Sequence, residues 1–187
     1  MLTDANLLMR LQSGEEASFE TLFLRHYDRV YGILYRLLGN QADAEDAAQQ
    51  VFLQLYQSPH RIRLQGETTN VAGWLYRVAV NRGYNALRSR RRVHTWLEKV
   101  GHRLLAVDLQ PDPGEAVDAA NRKDQVRDVL IQMKPRDAQL LILRHSGLSY
   151  KELAAALNVS VGSVGSLLTR AERAFADKYR MAHPEEG

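Results

Sequence analysis

From Phe19 to Leu38 the apolar residues fall at Leu22, Phe23, Tyr27, Val30, Tyr31, Leu34, Leu37 and Leu38. That alternating three-and-four spacing marks one buried face of a helix. Gly39-Asn40 ends it, and Asp43, Glu45 and Asp46 open a second helix, because carboxylates are favoured at the positive end of the helix dipole. The second helix runs to about Gln57 and stops before Pro59, and the mixed polarity of Arg61–Asn70 reads as a loop. A third helix is predicted from Val71 to about Arg92, with Val71, Trp74, Leu75 and Val78 on its buried side. Asp108, Pro111, Asp112, Pro113 and Gly114 then form an acidic, helix-breaking stretch. Beyond it Val126, Val129, Leu130 and Met133 mark another amphipathic helix. Pro135 suits the first turn of the next one, which Gly147 closes. No segment alternates with period two, so no sheet is expected. The pattern predicts an all-α chain of two small helical domains, residues 1–95 and 115–187, joined by a linker at 96–114.

Local signals are densest near the C-terminus. Ser149-Tyr150-Lys151-Glu152 is a capping box, in which serine and glutamate each satisfy a backbone amide of the other's turn. It opens a short helix through Leu157, and Asn158 is suited to the left-handed conformation that ends it. Ser160 then caps a longer helix through Val164, Leu167, Leu168, Ala171 and Phe175. Two helices joined by so short a turn describe a helix-turn-helix, whose second helix enters a DNA major groove. With the apolar residues inward, Val161, Ser163, Ser166, Thr169, Arg170 and Arg173 face outward. Hydroxyls and arginines contact phosphates and base edges. The competing reading is a plain helical hairpin with a solvated polar face. Gly162 and Gly165 each cost this helix about 1 kcal/mol relative to alanine, and serve either close backbone approach to DNA or tight packing.

Charge changes the picture of the N-terminal half. No lysine or arginine occurs between Arg36 and Arg61, and no carboxylate between Glu67 and Glu98. Within the second interval Arg77, Arg82, Arg88, Arg90, Arg91 and Arg92 accumulate, an electrostatic footprint for phosphate. Asn81 and Asn85 share helical spacing with Arg77 and Arg88, and asparagine and arginine are base-reading side chains. Tyr76 and Tyr84 are candidates for stacking on unpaired bases, against a plain core role; Trp74 is expected in the core. The acidic helix carries more apolar residues, Val51, Phe52, Leu53, Leu55 and Tyr56, than one narrow stripe can bury, so either part of it awaits a partner or the helix is buried on two sides. Asp43 and Asp46 read as first-turn carboxylates rather than a metal site.

Composition narrows the function class. The 187 residues are 45% hydrophobic and 25% charged, with net charge +3 and no cysteine. Disulfides, thiolate zinc sites and cysteine nucleophiles are thereby excluded. The six histidines are scattered without ligand spacing, and the His-Glu-x-x-His and Gly-x-Ser-x-Gly motifs are absent. The N-terminus lacks the features of a secretory signal, and no apolar run approaches the roughly 18 residues of a membrane span. A cytoplasmic, non-enzymatic protein without cofactor, metal or membrane insertion is expected.

Three groups of motifs together resemble the two-domain extracytoplasmic-function sigma factors of bacterial RNA polymerase. They are Phe19–Phe23 with Arg36–Asn40 and Asp43–Leu53, then Gly73–Asn81, then Leu148–Ala154 with Ser160–Val164. The resemblance implies that Asp43, Asp46, Gln49, Gln50, Phe52 and Leu53 dock on core RNA polymerase. It implies that Arg61–Asn70 and Arg77, Asn81, Arg82, Asn85 and Arg88, with the basic run Arg90, Arg91 and Arg92, open the minus-ten element and hold an extruded base. Base extrusion costs a few kcal/mol and needs a capturing pocket. Ser160, Ser163, Ser166, Thr169, Arg170 and Arg173 would read minus-thirty-five DNA, and an anti-sigma factor is a further candidate partner. The chain departs from the family at Gly165, Leu167 and Glu172, where lysine or arginine is usual; fewer cations lower the sequence-independent part of DNA affinity. A stand-alone helix-turn-helix regulator is the alternative, but it leaves the acidic helix and Arg77–Arg92 without a purpose. A decoy that binds polymerase without reading promoters is the other.

Overall fold

The computed structural model describes residues 2–64, 66, 69–101 and 115–184, and among these every regular element is helical. The chain opens with a helix that the hydropathy reading did not anticipate, α1 (Asp4–Gln12). Thr3 caps it by accepting from the Asn6 amide, and it buries Leu7, Leu8 and Leu11. Asp4 staples it to the next helix through the His26 ring at 2.7 Å and Arg25 at 2.5 Å. Burial pushes the Asp4 carboxyl up, but these two hydrogen-bonded partners outweigh it and leave its pKa below the ordinary aspartate value.

Helix α2 (Ala17–Leu38) buries Leu22, Val30, Ile33, Leu34, Leu37 and Leu38, as its periodicity predicts. Gly39 ends it at φ 68°, and Asn40 then accepts from the Asp43 amide to cap α3 (Gln41–Gln57). A 3-10 turn at Pro59–Arg61 follows, tied down by Gln12, whose amide donates to the Pro59 and Ile62 carbonyls. Asn70 accepts from the Gly73 amide at the start of α4 (Val71–Gly101), which continues nine residues past the predicted end because no helix breaker precedes Gly101. Trp74 and Leu75 lie in the core as expected. Gly83 lets α4 lie directly on α2, since a Cβ there would stand 2.7 Å from Leu37 Cδ1 and 3.2 Å from Leu34 Cδ2. The acidic, proline-rich stretch at 107–114 lies outside the described residues.

The C-terminal unit comprises α5 (Glu115–Gln132), α6 (Pro135–His145), α7 (Tyr150–Leu157) and α8 (Val161–Ala182). Pro135 occupies the first turn of α6, and the capping box of Ser149 and Glu152 is complete. Asn158 adopts the left-handed conformation, φ 54° and ψ 54°, and α7 and α8 meet at 88°. That angle is the corner of a helix-turn-helix. Ser160 stands at the start of α8 without capping an amide, contrary to expectation, because its hydroxyl bonds instead to that of Ser163 at 2.5 Å. The two units are not separate bodies. Their buried side chains form one continuous core, with α4 packed against α5, α6 and α7.

Candidate functional site

Three helices carry the residues expected to act, and each presents a different chemistry. On α3 the apolar surplus divides. Val51, Phe52 and Leu55 are buried, while Leu53 and Tyr56 are each 42% exposed. Phe52, expected among the docking residues, is a core residue. Its ring lies edge-on to Phe23 at 4.8 Å and is 2% exposed, so it orients the helix instead of meeting a partner. Asp46, Gln49 and Gln50 are exposed beside Leu53. Asp43 is half-buried and ion-paired with Arg90 of α4.

Phe19, Phe23, Tyr27, Tyr31 and Tyr35 run up α2 as a ladder at four-residue spacing, with neighbouring ring centroids 4.9–6.2 Å apart. Tyr56 joins it through an edge-on contact with Phe19 at 5.2 Å, and its hydroxyl donates to Glu16 at 2.7 Å. That hydrogen bond and the carboxylate's charge, with some burial, raise the Tyr56 phenol above its ordinary value. The hydropathy pattern assigns Phe23, Tyr27 and Tyr31 to the buried face and does not single out Phe19 or Tyr35. Their exact four-residue recurrence is the signal that they also flank an exposed face.

Helix α4 brings Arg77, Asn81, Tyr84, Arg88 and Arg91 onto one stripe. Asn85, Arg88 and Arg92 are exposed, and Arg77, Asn81 and Arg82 are half-buried. Asn81 accepts a 2.5 Å hydrogen bond from Gln139 of α6, and Arg91 pairs with Asp128 of α5 at 3.0 Å. Arg90 also reaches the Leu38 carbonyl at 3.4 Å. A groove between α3 and α4 is lined by Asp43, Asp46, Gln50, Arg82 and Arg90, so the acidic and basic sets adjoin. The expectation that Tyr76 and Tyr84 offer stacking faces is corrected: they are 4% and 3% exposed. Tyr84 donates to the Ile131 and Met133 carbonyls, at 3.2 and 3.3 Å, and Tyr76 lies under the Arg29 guanidinium. Burial raises both phenol pKa values. The expected loop is described at residues 61–64, 66, 69 and 70; its remaining residues lie outside the described ones.

On α8 the outward set stands as the spacing predicts. Ser166, Thr169, Arg170 and Arg173 are exposed, and Ser163 is half-buried. Arg170 also reaches the buried Asp137 at 3.6 Å. Gly162 faces open space, with nothing within 4 Å of a built Cβ, so tight packing is not the reason for glycine there. Among the described residues no group of acidic and imidazole side chains could hold a metal ion, and no single helix is long and apolar enough to cross a membrane.

Comparison with known proteins assigns both halves. Residues 22–93 match Sigma-70 region 2, and residues 123–175 match Sigma-70, region 4. The chain therefore has the two-domain plan of a sigma factor. It is 31% identical over 179 residues to the ECF RNA polymerase sigma factor SigE of Mycolicibacterium smegmatis, covering 93% of this chain and 67% of that one. It is 30% identical to the ECF RNA polymerase sigma-E factor of Haemophilus influenzae, covering 95% of each. The structure of CnrH in complex with the cytosolic domain of CnrY shares the fold, with TM-score 0.58 and 18% identity over 93% of this chain and 95% of that one. The chain belongs to the ECF family of RNA polymerase sigma factors, which are generally non-enzymatic and serve promoter-specific transcription initiation.

Proposed function

We propose that the three exposed faces divide the work of initiation among α3, α4 and α8. Asp46, Gln49, Gln50 and Leu53 dock on core RNA polymerase in the cytoplasm, with the aromatic ladder of α2 stiffening the face and Phe52 holding it from beneath. Arg77, Asn81, Arg82, Asn85 and Arg88 engage the opened minus-ten strand, and Arg92 holds adjacent phosphates. Arg90 and Arg91 are partly neutralised by Asp43 and Asp128 and contribute less. Ser163, Ser166, Thr169, Arg170 and Arg173 read the minus-thirty-five duplex, while Ser160 sets the start of their helix. The division at 1–95, 96–114 and 115–187 separates melting from duplex reading, although α4 runs six residues into the middle segment. An anti-sigma factor fits as a regulator that covers one of these faces.

The observation that carries the reading is the distinct polarity of the exposed sets: carboxylate, amide and leucine on α3, asparagine and arginine on α4, hydroxyl and arginine on α8. Base-edge contacts are worth about 1–3 kcal/mol each. Asn85→Ala and Arg88→Ala should therefore reduce permanganate-reactive open complex about tenfold or more, on a promoter recovered by transcription of genomic fragments. Polymerase binding should stay unchanged in the same variants. Equal loss of both activities would reject the assignment of α4.

A further inference from the structure

A cavity of about 950 Å³ opens at the C-terminal end of α2, within the range of roughly 300–1,000 Å³ typical of small-molecule sites. Its floor is aliphatic: Leu37 and Leu38 from α2, Leu130 from α5, and Leu141 and Ile142 from α6, with Phe175 of α8 at one side. The five floor residues are buried and belong to the continuous core, so the site is preformed. The rim has the opposite character. Arg36, Arg122 and Lys123 are exposed around it, against the exposed Glu172. Arg127 forms part of the wall and adds a second observation. Its side chain is 17% exposed and its Nη1 donates to Asp124 at 2.7 Å, while its Nε is buried with no hydrogen-bond partner among the described residues. Gly39 makes the room for this guanidinium, since a Cβ there would run into it. A buried donor without an acceptor is uncommon and costly.

The geometry points to a binding site for a free amphiphilic anion, a single-chain aliphatic carboxylate. Its tail lies on the leucine and isoleucine floor, and its head meets Arg127 and the cationic rim. An oxyanion beside Arg127 is drawn by the guanidinium charge and supplies an acceptor where one is lacking. A neutral alkyl chain leaves that donor unmet, and a cationic amphiphile meets like charge at Arg36, Arg122 and Lys123. The shape favours a free ligand over a membrane surface: the site is a cavity among α2, α5, α6 and α8, whereas a bilayer takes up the exposed apolar face of a helix lying in its plane. None of the lining residues belongs to the faces assigned to polymerase, the minus-ten strand or the minus-thirty-five duplex, so the site stands apart from that reading.

The test uses the full chain and dansyl-labelled undecanoate, a fluorescent carboxylate, kept below its micellar concentration. Saturable one-to-one binding in the micromolar range is expected, reversed by dodecanoate and not by dodecyltrimethylammonium. Val126 lines the cavity and is 38% exposed, so Val126→Trp fills the space from the surface and leaves the floor intact. Excluding even two tail methylenes should weaken binding about tenfold or more. Arg36→Glu combined with Lys123→Glu should weaken it about threefold to tenfold, the size of two exposed ion pairs reversed. Saturating dodecanoate should raise the melting temperature of wild type and not that of Val126→Trp, because a ligand that binds only the folded state stabilises it. The same melting curves show that each variant is folded. No saturable binding, or binding that Val126→Trp leaves intact, would overturn the site. Equal displacement by the cationic amphiphile would overturn the assignment of an anion. Binding to phosphatidylglycerol vesicles that Val126→Trp abolishes, with no binding of free dodecanoate, would make the occupant a membrane lipid and overturn the free ligand.

Discussion

Phe52 and Leu53 are adjacent on α3 and oppositely placed, so a matched pair of truncations measures what each contributes. Phe52 is 2% exposed and packs edge-on to Phe23 at 4.8 Å, whereas Leu53 is 42% exposed. Truncating a buried phenylalanine to alanine costs about 3–5 kcal/mol, through lost transfer free energy and the cavity left behind. The edge-on ring pair accounts for about 0.5–1.5 kcal/mol of that. Against a typical total stability of about 5–15 kcal/mol, Phe52→Ala should lower the urea midpoint sharply. Leu53→Ala should change stability by no more than about 0.5 kcal/mol. At an interface, loss of one apolar anchor costs about 1–2 kcal/mol, so Leu53→Ala should weaken polymerase binding about tenfold. Urea unfolding can be followed by tryptophan fluorescence in a Trp96→Phe background, because Trp74 is 8% exposed and Trp96 is 61% exposed. Equal destabilisation by both truncations, or a loss below about 1 kcal/mol for Phe52→Ala, would refute this account of α3.

The turn of the helix-turn-helix gives a backbone test: Asn158→Ala should cost about 1–2 kcal/mol, the penalty of a Cβ in the left-handed region, while Asn158→Gly should be neutral or better in thermal denaturation. Asp4 gives a pH test. Its folded pKa is lowered, so its stabilisation is fully present above the unfolded value of about 3.9 and is lost as pH falls through the folded one. Asp4→Asn should flatten the acid limb of the stability profile in that window, as urea unfolding at stepped pH would read it. Arg173→Ala should reduce the slope of log affinity for duplex DNA against log salt by about 0.9, the signature of one lost phosphate contact.

Much of the fold is legible in the sequence because its signals are local and mutually consistent. The α2 stripe, Gly39-Asn40 as its stop, the Ser149–Glu152 box and Asn158 each act within one helical turn, and each stands where its chemistry predicts, while the capping of α3 by Asn40 is seen only in the structure. Helix α1 carries the same kind of signal, Thr3 before Leu7, Leu8 and Leu11, but over too few residues to stand out. The extension of α4 shows that a run of arginines does not end a helix. What no local pattern reveals is the meeting of the two units. Arg29 and Gly147 are 118 residues apart, and Asn81 and Gln139 are 58 apart. The burial of Tyr76 and Tyr84 depends on the same long-range contacts, which is why their rings read as available in sequence and are covered in the structure. Phe52 is the mirror case, a motif position whose place in a functional helix is to pack it.

The central claim is that this chain engages core RNA polymerase through α3. Its most direct test is titration of fluorescently labelled full-length protein into purified bacterial core polymerase, read by anisotropy, with unlabelled housekeeping sigma factor as competitor. Saturable binding below micromolar concentration that the competitor displaces, and that Leu53→Ala weakens about tenfold, is the predicted result. A folded sample that does not bind, or that binds without being displaced, would contradict it.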